Sequence, residues 1–315
     1  MSYLPCELHC HTVHSDGDFQ VRALQESAAY DHLSLIALTD HNTTSGYDEI
    51  DDSIIPVIRG IEWTTYFGHM LVLGAEKFVD WRNAVPDNID EKIREVKDAG
   101  GIVGIAHPYQ IGSPICTGGR WEFNIKDWSQ VDYIEVWHYD MSAKSSENVR
   151  SLALWTSLLD KGYRISATYG RDWHRQATSG QYGCTYLGFD DKVTPESAID
   201  AIKNGRTVIS TGAKMFFRVH RHGKTSYIGD TVKRGNYTFS FFTDLHSRRK
   251  NQTEEVDYKT IRIVTNGGKI VLETRCDEKH VRLRLEKNSW YRAELWGTVD
   301  GELEPLAITS PIYCV

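Results

Sequence analysis

The 315-residue chain has no opening basic-then-apolar segment that resembles a signal peptide, and no apolar run approaching a membrane span. Its six cysteines (Cys6, Cys10, Cys116, Cys184, Cys276 and Cys314) contain no Cys-x-x-Cys pair and no disulfide-framework spacing. Thiols buried as small hydrophobes, in a reducing cytoplasm, are the expectation. Positive charge is not in excess: the formal net charge is −7, which counts against a nucleic-acid-binding surface. There is no internal repeat and no low-complexity tract. Apolar and charged fractions of 40% and 25% are ordinary, so disorder is not expected. The length predicts one large barrel or two domains.

What is present falls into two patterns. Up to about residue 210, short apolar runs alternate with amphipathic stretches. The runs are Tyr3–Cys10, Ser34–Thr39, Ile54–Glu62, Met70–Leu73, Gly101–Ala106, Tyr133–Val136 and Arg164–Thr168. Helices are expected over Val21–His32, Thr44–Asp51, Ile89–Ala99, Ser146–Lys161 and Pro195–Asn204. Thr194 followed by Pro195 is a helix start, and Gly100-Gly101 is a helix stop. Such alternation predicts an α/β fold, a parallel sheet closed or nearly closed as a barrel, with chemistry at the carboxyl-end rim. From about Thr211 the segments become short and alternating, with turn signals such as Asn266-Gly267-Gly268 between them. Residues 211–315 are read as an antiparallel β-sandwich with a packing or assembly role, and 1–210 as the domain that carries the chemistry. Pro114–Trp121 reads as a rim loop beside the substrate pocket, and Arg248-Arg249-Lys250 as a solvated loop.

The chemistry lies in histidines and carboxylates that end or follow the apolar runs: His9, His11, Asp16, Asp40, His41, Glu62, His69, His107, Asp172 and His174. Strands ending at one rim converge their terminal side chains. His9 and His11, two apart on extended chain, point to the same side, so both imidazoles reach one ion. Imidazole nitrogens and carboxylate oxygens gathered there form a site for divalent Zn, Mn or Fe. His14 and His138 match no ligand position, although Glu135 and His138 follow a strand closely enough to reach the pocket wall.

The segments Glu7-Leu8-His9-Cys10-His11-Thr12, Leu38-Thr39-Asp40-His41-Asn42-Thr43, Gly60-Ile61-Glu62, Ala106-His107-Pro108 and Gly170-Arg171-Asp172-Trp173-His174 stand in a telling order. Together they resemble the PHP (polymerase and histidinol phosphatase) metal-dependent phosphoesterase family over residues 1–210. The resemblance implies a distorted barrel of seven strands and helices with a two- or three-metal centre. By position, His9, His11, Glu62 and Asp172 would hold one ion. Glu62 would bridge to a second, held by His69 and His107, and Asp16, His41 and His174 would hold a third. The segments Asn204–Gly212, Trp290–Ala293 and Ala307–Tyr313 look like the carbaryl-hydrolase-like (CehA/McbA-type) branch, whose members place a small β-sandwich after the barrel. Arg171 departs from that branch's small residue, and is read either as a clamp on an anionic substrate or as one half of a salt bridge.

The implied activity is hydrolysis of a small phosphorylated substrate by a metal-bound hydroxide. Asp40, His41 or His174 would supply the leaving group's proton, unless Asp40 orients a ligating histidine instead. The alternatives are a carboxylester or carbamate hydrolase with the same centre, or a non-catalytic metal-binding interaction protein. Nucleic acid and membrane are not expected partners, and the β region is the candidate surface for oligomerisation.

Overall fold

The computed structural model describes residues 1–111, 119–139, 143–176, 183–245 and 256–315. Most of the Pro114–Trp121 loop, Cys116 and the Arg248–Lys250 run lie outside the described residues. The first part contains β1 (Ser2–Glu7), α1 (Val21–Tyr30), β2 (Leu35–Leu38), β3 (Val57–Thr65), β4 (Gly68–Leu73), α2 (Ile89–Asp98) and β5 (Ile102–Ile105). It continues with β6 (Tyr133–His138), α3 (Ser146–Asp160), β7 (Ser166–Gly170), β8 (Cys184–Phe189), α4 (Pro195–Lys203) and β9 (Thr207–Ser210). The helices form where apolar residues recur on one face. Val21, Leu24 and Ala28 of α1 are buried, as are Ile89, Ile93 and Val96 of α2. Thr194 caps α4 by accepting the Ser197 N–H, and Gly100, at φ +82°, ends α2.

Strands β1, β2 and β3 pair in parallel, β3–β4 and β4–β5 are antiparallel, and β5, β6 and β7 are parallel again. The ring is joined just beyond the first and seventh strands. There the His11 N–H donates to the Trp173 carbonyl and the Trp173 N–H to the His9 carbonyl, both at 2.9 Å. The seam of the ring is thus built from the two segments that carry the most candidate ligands. Among the described residues a helix does not follow each of seven strands, so the (β/α)7 expectation is corrected to a mixed sheet with few helices. Thr44–Asp51 forms only a 3-10 turn, Ser45–Glu49, and Tyr66-Phe67 between β3 and β4 is a hairpin turn, too short for a crossover.

The later strands are β10 (Lys214–Arg221), β11 (Lys224–Tyr227), β12 (Thr231–Val232), β13 (Gly235–Asp244), β14 (Val256–Thr265) and β15 (Lys269–Arg275). After them come β16 (His280–Leu285), β17 (Ser289–Val299), β18 (Glu302–Thr309) and β19 (Ile312–Cys314). Asn266–Gly268 turns β14 into β15, with Gly267 at φ +69°. The sheet order β11-β10-β13-β16 forms one layer, while β14, β17, β18 and β19 continue the large sheet through β18–β9 pairing. Phe217, Val219, Phe239 and Phe241 of the smaller layer share one buried cluster with Ile261, Ile263, Leu295 and Ala307. The three tail segments singled out in the sequence become neighbouring strands, with Ile308 opposite Ile209 and Tyr291 opposite Ile312. No described helix is long and apolar enough to cross a membrane.

Candidate metal centre

The carboxyl ends of β1, β2, β5, β6 and β7 deliver His9 and His11, Asp40 and His41, His107, His138, and Asp172 and His174 to one rim. His69 opens β4 instead of closing a strand, but β4 runs backwards, and Thr64↔His69 pairing returns it to the same rim as Glu62. The nine proposed ligands are thereby brought together into four overlapping groups. These are His9, His11, Glu62 and Asp172; His11, Asp16, His41 and His174; His41, Glu62 and His69; and His107, His138 and Asp172. Burial grades across the site. His9, His11 and Glu62 are sealed at 0% exposure, whereas the Asp16 side chain is 58% exposed and opens the third group to solvent.

At the centre, His9 Nε2 lies 3.2 Å from Glu62 Oε2 and 3.3 Å from Asp172 Oδ1. His11 Nε2 lies 3.4 Å and 3.0 Å from the same two oxygens. Ligand bonds of about 2.1 Å give edges of roughly 3.4 Å in a tetrahedron and roughly 3.0 Å in an octahedron. His9 Nε2, His11 Nε2, Glu62 Oε2 and Asp172 Oδ1 are all buried, and none makes a well-formed hydrogen bond. Buried polar atoms without partners are costly, and a divalent cation among these four would satisfy them together. The residues present therefore fit a metal.

Both carboxylates also face outward from the quartet. Glu62 Oε1 sits 2.9 Å from His69 Nδ1 and 3.1 Å from His107 Nε2, and Asp172 Oδ2 sits 3.2 Å from His138 Nε2. Asp16 Oδ1 is 3.1 Å from His174 Nε2 and 3.4 Å from His41 Nε2. The ring orientations are held from behind. His9 Nδ1 meets Glu135 Oε1 at 2.8 Å, His107 Nδ1 the Gly119 carbonyl at 3.2 Å, and His174 Nδ1 the Asp172 carbonyl at 2.7 Å. A carbonyl or carboxylate only accepts, so in each neutral ring Nδ1 carries the proton and Nε2 keeps its lone pair for an ion. His107 at φ +26° and Asp172 at φ +49° hold strained backbone, as residues at functional sites often do.

Two candidate catalytic residues are placed elsewhere. Among the described residues Asp40 hydrogen-bonds to no imidazole. It accepts from the Thr12 N–H at 2.7 Å, the Thr12 hydroxyl at 2.7 Å and the Ser15 hydroxyl at 2.6 Å, and so braces the loop leading to Asp16. Arg171 is no clamp: it is 2% exposed, its Nη1 pairs with Asp31 at 3.1 Å, and its guanidinium stacks 3.8 Å from the Trp173 ring centroid.

Three further residues belong to the centre. His138 matches no ligand position in the sequence, and both it and Glu135 are expected there only at the pocket wall. The β6–β7 register slips between Glu135 and Trp137, and this bulge brings His138 to the same side as Glu135. Glu7 accepts the backbone N–H groups of His9 and Arg171, each at 3.0 Å, tying the two ligand segments together. Burial pushes its carboxyl up to about 7, against the pull of Arg171. His14 stays outside, pairing with Glu49 at 2.8 Å.

The imidazoles and carboxylates charge one another. Burial would lower the His9 ring, but Glu135, Glu62 and Asp172 outweigh it and hold it well above the ordinary value. Burial acts the same way on His41, where Asp16 and Glu62 prevail and raise it to about 10. Burial wins at His11 and His107, which are lowered. Glu62 and Asp172 are held well below the carboxylate range: burial opposes this, and the histidines overcome it. A folded-state pKa raised from 6.5 to about 10 means that His41 stabilises the metal-free protein fully below about pH 6.5, and that this is lost as pH rises through 10. The melting temperature of metal-free protein is therefore expected to fall between pH 7 and 10. Metal must displace the same protons, so affinity should rise with pH and loading in weak buffer should acidify the solution. Calorimetric titration at several pH values checks both, and pH-independent affinity would exclude protonated imidazoles at the site.

No family model matches the chain, and no curated protein matches it. Among solved structures, a two-domain protein containing a predicted PHP-like metal-dependent phosphoesterase from Bacteroides vulgatus aligns at 15% identity. The alignment covers 97% of this chain and 95% of that one, with a TM-score of 0.55. A candidate metal-dependent phosphoesterase from Bifidobacterium adolescentis aligns at 18% identity over 62% of this chain and 94% of its own, with a TM-score of 0.41. An amidohydrolase from Chromobacterium violaceum with bound sulfate and no metal aligns at 18% identity over 55% and 88%, with a TM-score of 0.35. The last two superpose too loosely to indicate a shared fold. Over nearly its whole length, this chain has the fold of the two-domain Bacteroides protein.

Proposed function

We propose that the protein is a metal-dependent hydrolase of the PHP type, most plainly a phosphoesterase acting on a small anionic substrate, and, on the likeness of its tail segments, of the carbaryl-hydrolase-like branch. The observation that carries this is the quartet His9, His11, Glu62 and Asp172, four buried donor atoms spaced as the edges of a coordination shell and without a well-formed hydrogen bond, although His41 Nδ1 stands 2.8 Å from Glu62 Oε2. Those residues would hold one ion, Glu62 would share a second with His69 and His107, and Asp16, His41 and His174 would hold a third. His138 would stand with His107 and Asp172, its Nε2 3.2 Å from Asp172 Oδ2. When bound, divalent Mn, Zn or Fe supplies Lewis acidity and a water ionised near neutral pH.

The chain's own groups do the rest. Glu135, the Gly119 carbonyl and the Asp172 carbonyl keep three imidazoles in the tautomer that faces the centre. Burial of the quartet excludes bulk water and strengthens every charge interaction around it. A cavity of about 480 Å³ adjoins the centre and is lined by Asp16, His138, Asp172 and His174, together with Arg175. A larger cleft of about 690 Å³ contains none of the candidate ligands and is not assigned to the chemistry. Asp40 is spent on Thr12 and Ser15, so the leaving oxygen's proton would come from His41 or His174, whichever holds no ion.

Arg175 takes the role expected of Arg171. The chain bends there, its side chain is exposed at the cavity, and among the described residues it makes no ion pair. Glu147 in the same wall accepts from the Ile111 N–H at 3.0 Å. Arg175→Ala is expected to raise KM for phosphate esters by about 10- to 100-fold while leaving KM for neutral esters nearly unchanged. Equal effects on both substrate types would remove the clamp.

The reading itself is tested with protein reconstituted separately with Mn, Zn and Fe. The substrates are p-nitrophenyl phosphate, bis-p-nitrophenyl phosphate and p-nitrophenyl acetate. Metal-dependent phosphate release supports the phosphoesterase. Turnover of acetate alone moves the assignment to an ester or carbamate hydrolase, and silence on all three rejects both.

A further inference from the structure

Tyr139 directly follows the candidate ligand His138, and its backbone is strained. Its φ is +55°, in the left-handed region, where a bulky side chain is strained and glycine is not. Its backbone is pinned on both sides: the N–H donates to the Gly170 carbonyl at 2.8 Å, and the carbonyl accepts from the Tyr169 hydroxyl. The ring nevertheless packs little, being 48% exposed, and its centroid lies 5.9 Å from that of His138. It lines the same cavity as Asp172, His174 and Arg175. The strained backbone therefore holds a half-exposed aromatic ring on the cavity wall beside His138, with little burial in return.

We propose that Tyr139 is a specificity-determining residue that stacks on a planar ring carried by the ester, so that the cavity selects aryl or other ring-bearing phosphates over alkyl ones. This rests on the phosphoesterase reading for the identity of the anion, but not for its test. Phenylphosphonate and methylphosphonate, which are not hydrolysed as esters, are titrated calorimetrically into Mn-loaded protein. Wild type is expected to bind the phenyl compound about 3- to 10-fold more tightly, the increment of an aromatic contact. Y139F keeps that preference, because the ring remains. Y139G loses it without a lower melting temperature, because glycine relieves the left-handed strain. Equal affinities in wild type, no binding of either compound, or a preference retained in Y139G would overturn the proposal. A phenyl preference without turnover of any phosphate ester would leave Tyr139 in place and reject the hydrolase. Turnover of aryl and alkyl phosphates with equal KM, unchanged in Y139G, would do the reverse.

Discussion

Glu62→Gln is expected to lower hydrolysis by on the order of 10³-fold and to leave less than one ion bound per chain after reconstitution. The reason is geometric. Oε2 faces His9 and His11 while Oε1 faces His69 and His107, so one carboxylate serves two groups at once. Glutamine keeps the shape but loses the charge, and one of its two terminal atoms becomes a donor aimed at imidazole nitrogens. The substitution is informative because the site's contribution to folding reads out separately. Metal that binds only the folded chain raises the melting temperature, and that increment should vanish in the variant. Asp172→Asn, which removes charge from the oxygens facing His11 and His138, should behave the same way. Elemental analysis, phosphate release and melting curves with and without Mn are the measurements. Full activity with full metal content in either variant would sink the assignment of the quartet.

Gly170→Ala should be nearly as damaging, although Gly170 touches no proposed ion. A Cβ there would stand 1.9 Å from Oε1 of Glu135, the atom that holds His9 Nδ1 at 2.8 Å. Glu135 is buried and its other oxygen accepts the His107 N–H at 2.9 Å, so the carboxylate has nowhere to retreat without releasing two ligand segments. Overpacking of this kind costs about 1–3 kcal/mol, and loss of the group orienting a ligating histidine costs roughly 10- to 100-fold in metal affinity. Glu135→Gln separates the two effects, since it removes the charge behind His9 without the clash. Metal titration and chemical denaturation of both variants should show Gly170→Ala losing stability and affinity together, and Glu135→Gln losing chiefly affinity. Wild-type metal affinity in both would show that His9 needs no support from behind.

The two variants mark the boundary between what local sequence conveys and what it does not. Glu62 was legible because it lies in an apolar run among motifs of the same chemistry. Glu135 was legible only as a wall residue, because its partner His9 lies far away in sequence. The inward facing of His138 depends on a bulge at Val136, which reverses the parity from which facing is read. His69 was legible as a histidine beside a strand, but its arrival at the rim depends on β4 running antiparallel. Asp40 and Arg171 show the opposite failure. Each sits next to a candidate ligand, but the Thr12–Ser15 loop takes the carboxylate and Asp31 takes the guanidinium. Neither partner is close in sequence, so neither competition can be read locally.

The sequence by itself determined the kinds of donor, their order along the chain and their delivery to strand ends, because hydrophobic runs and turn residues act locally. It also determined the β character of the last third, through alternation and Asn-Gly turns. Only the tertiary structure decided how the ring is joined, between the His9–His11 and Asp172–His174 segments, and that a hairpin replaces a crossover at β3–β4. It alone decided which oxygen of each carboxylate faces which imidazole, and that Arg175, not Arg171, reaches the cavity. These outcomes depend on contacts between residues far apart in sequence, where burial and competition for hydrogen bonds select one arrangement among several that local pattern permits equally.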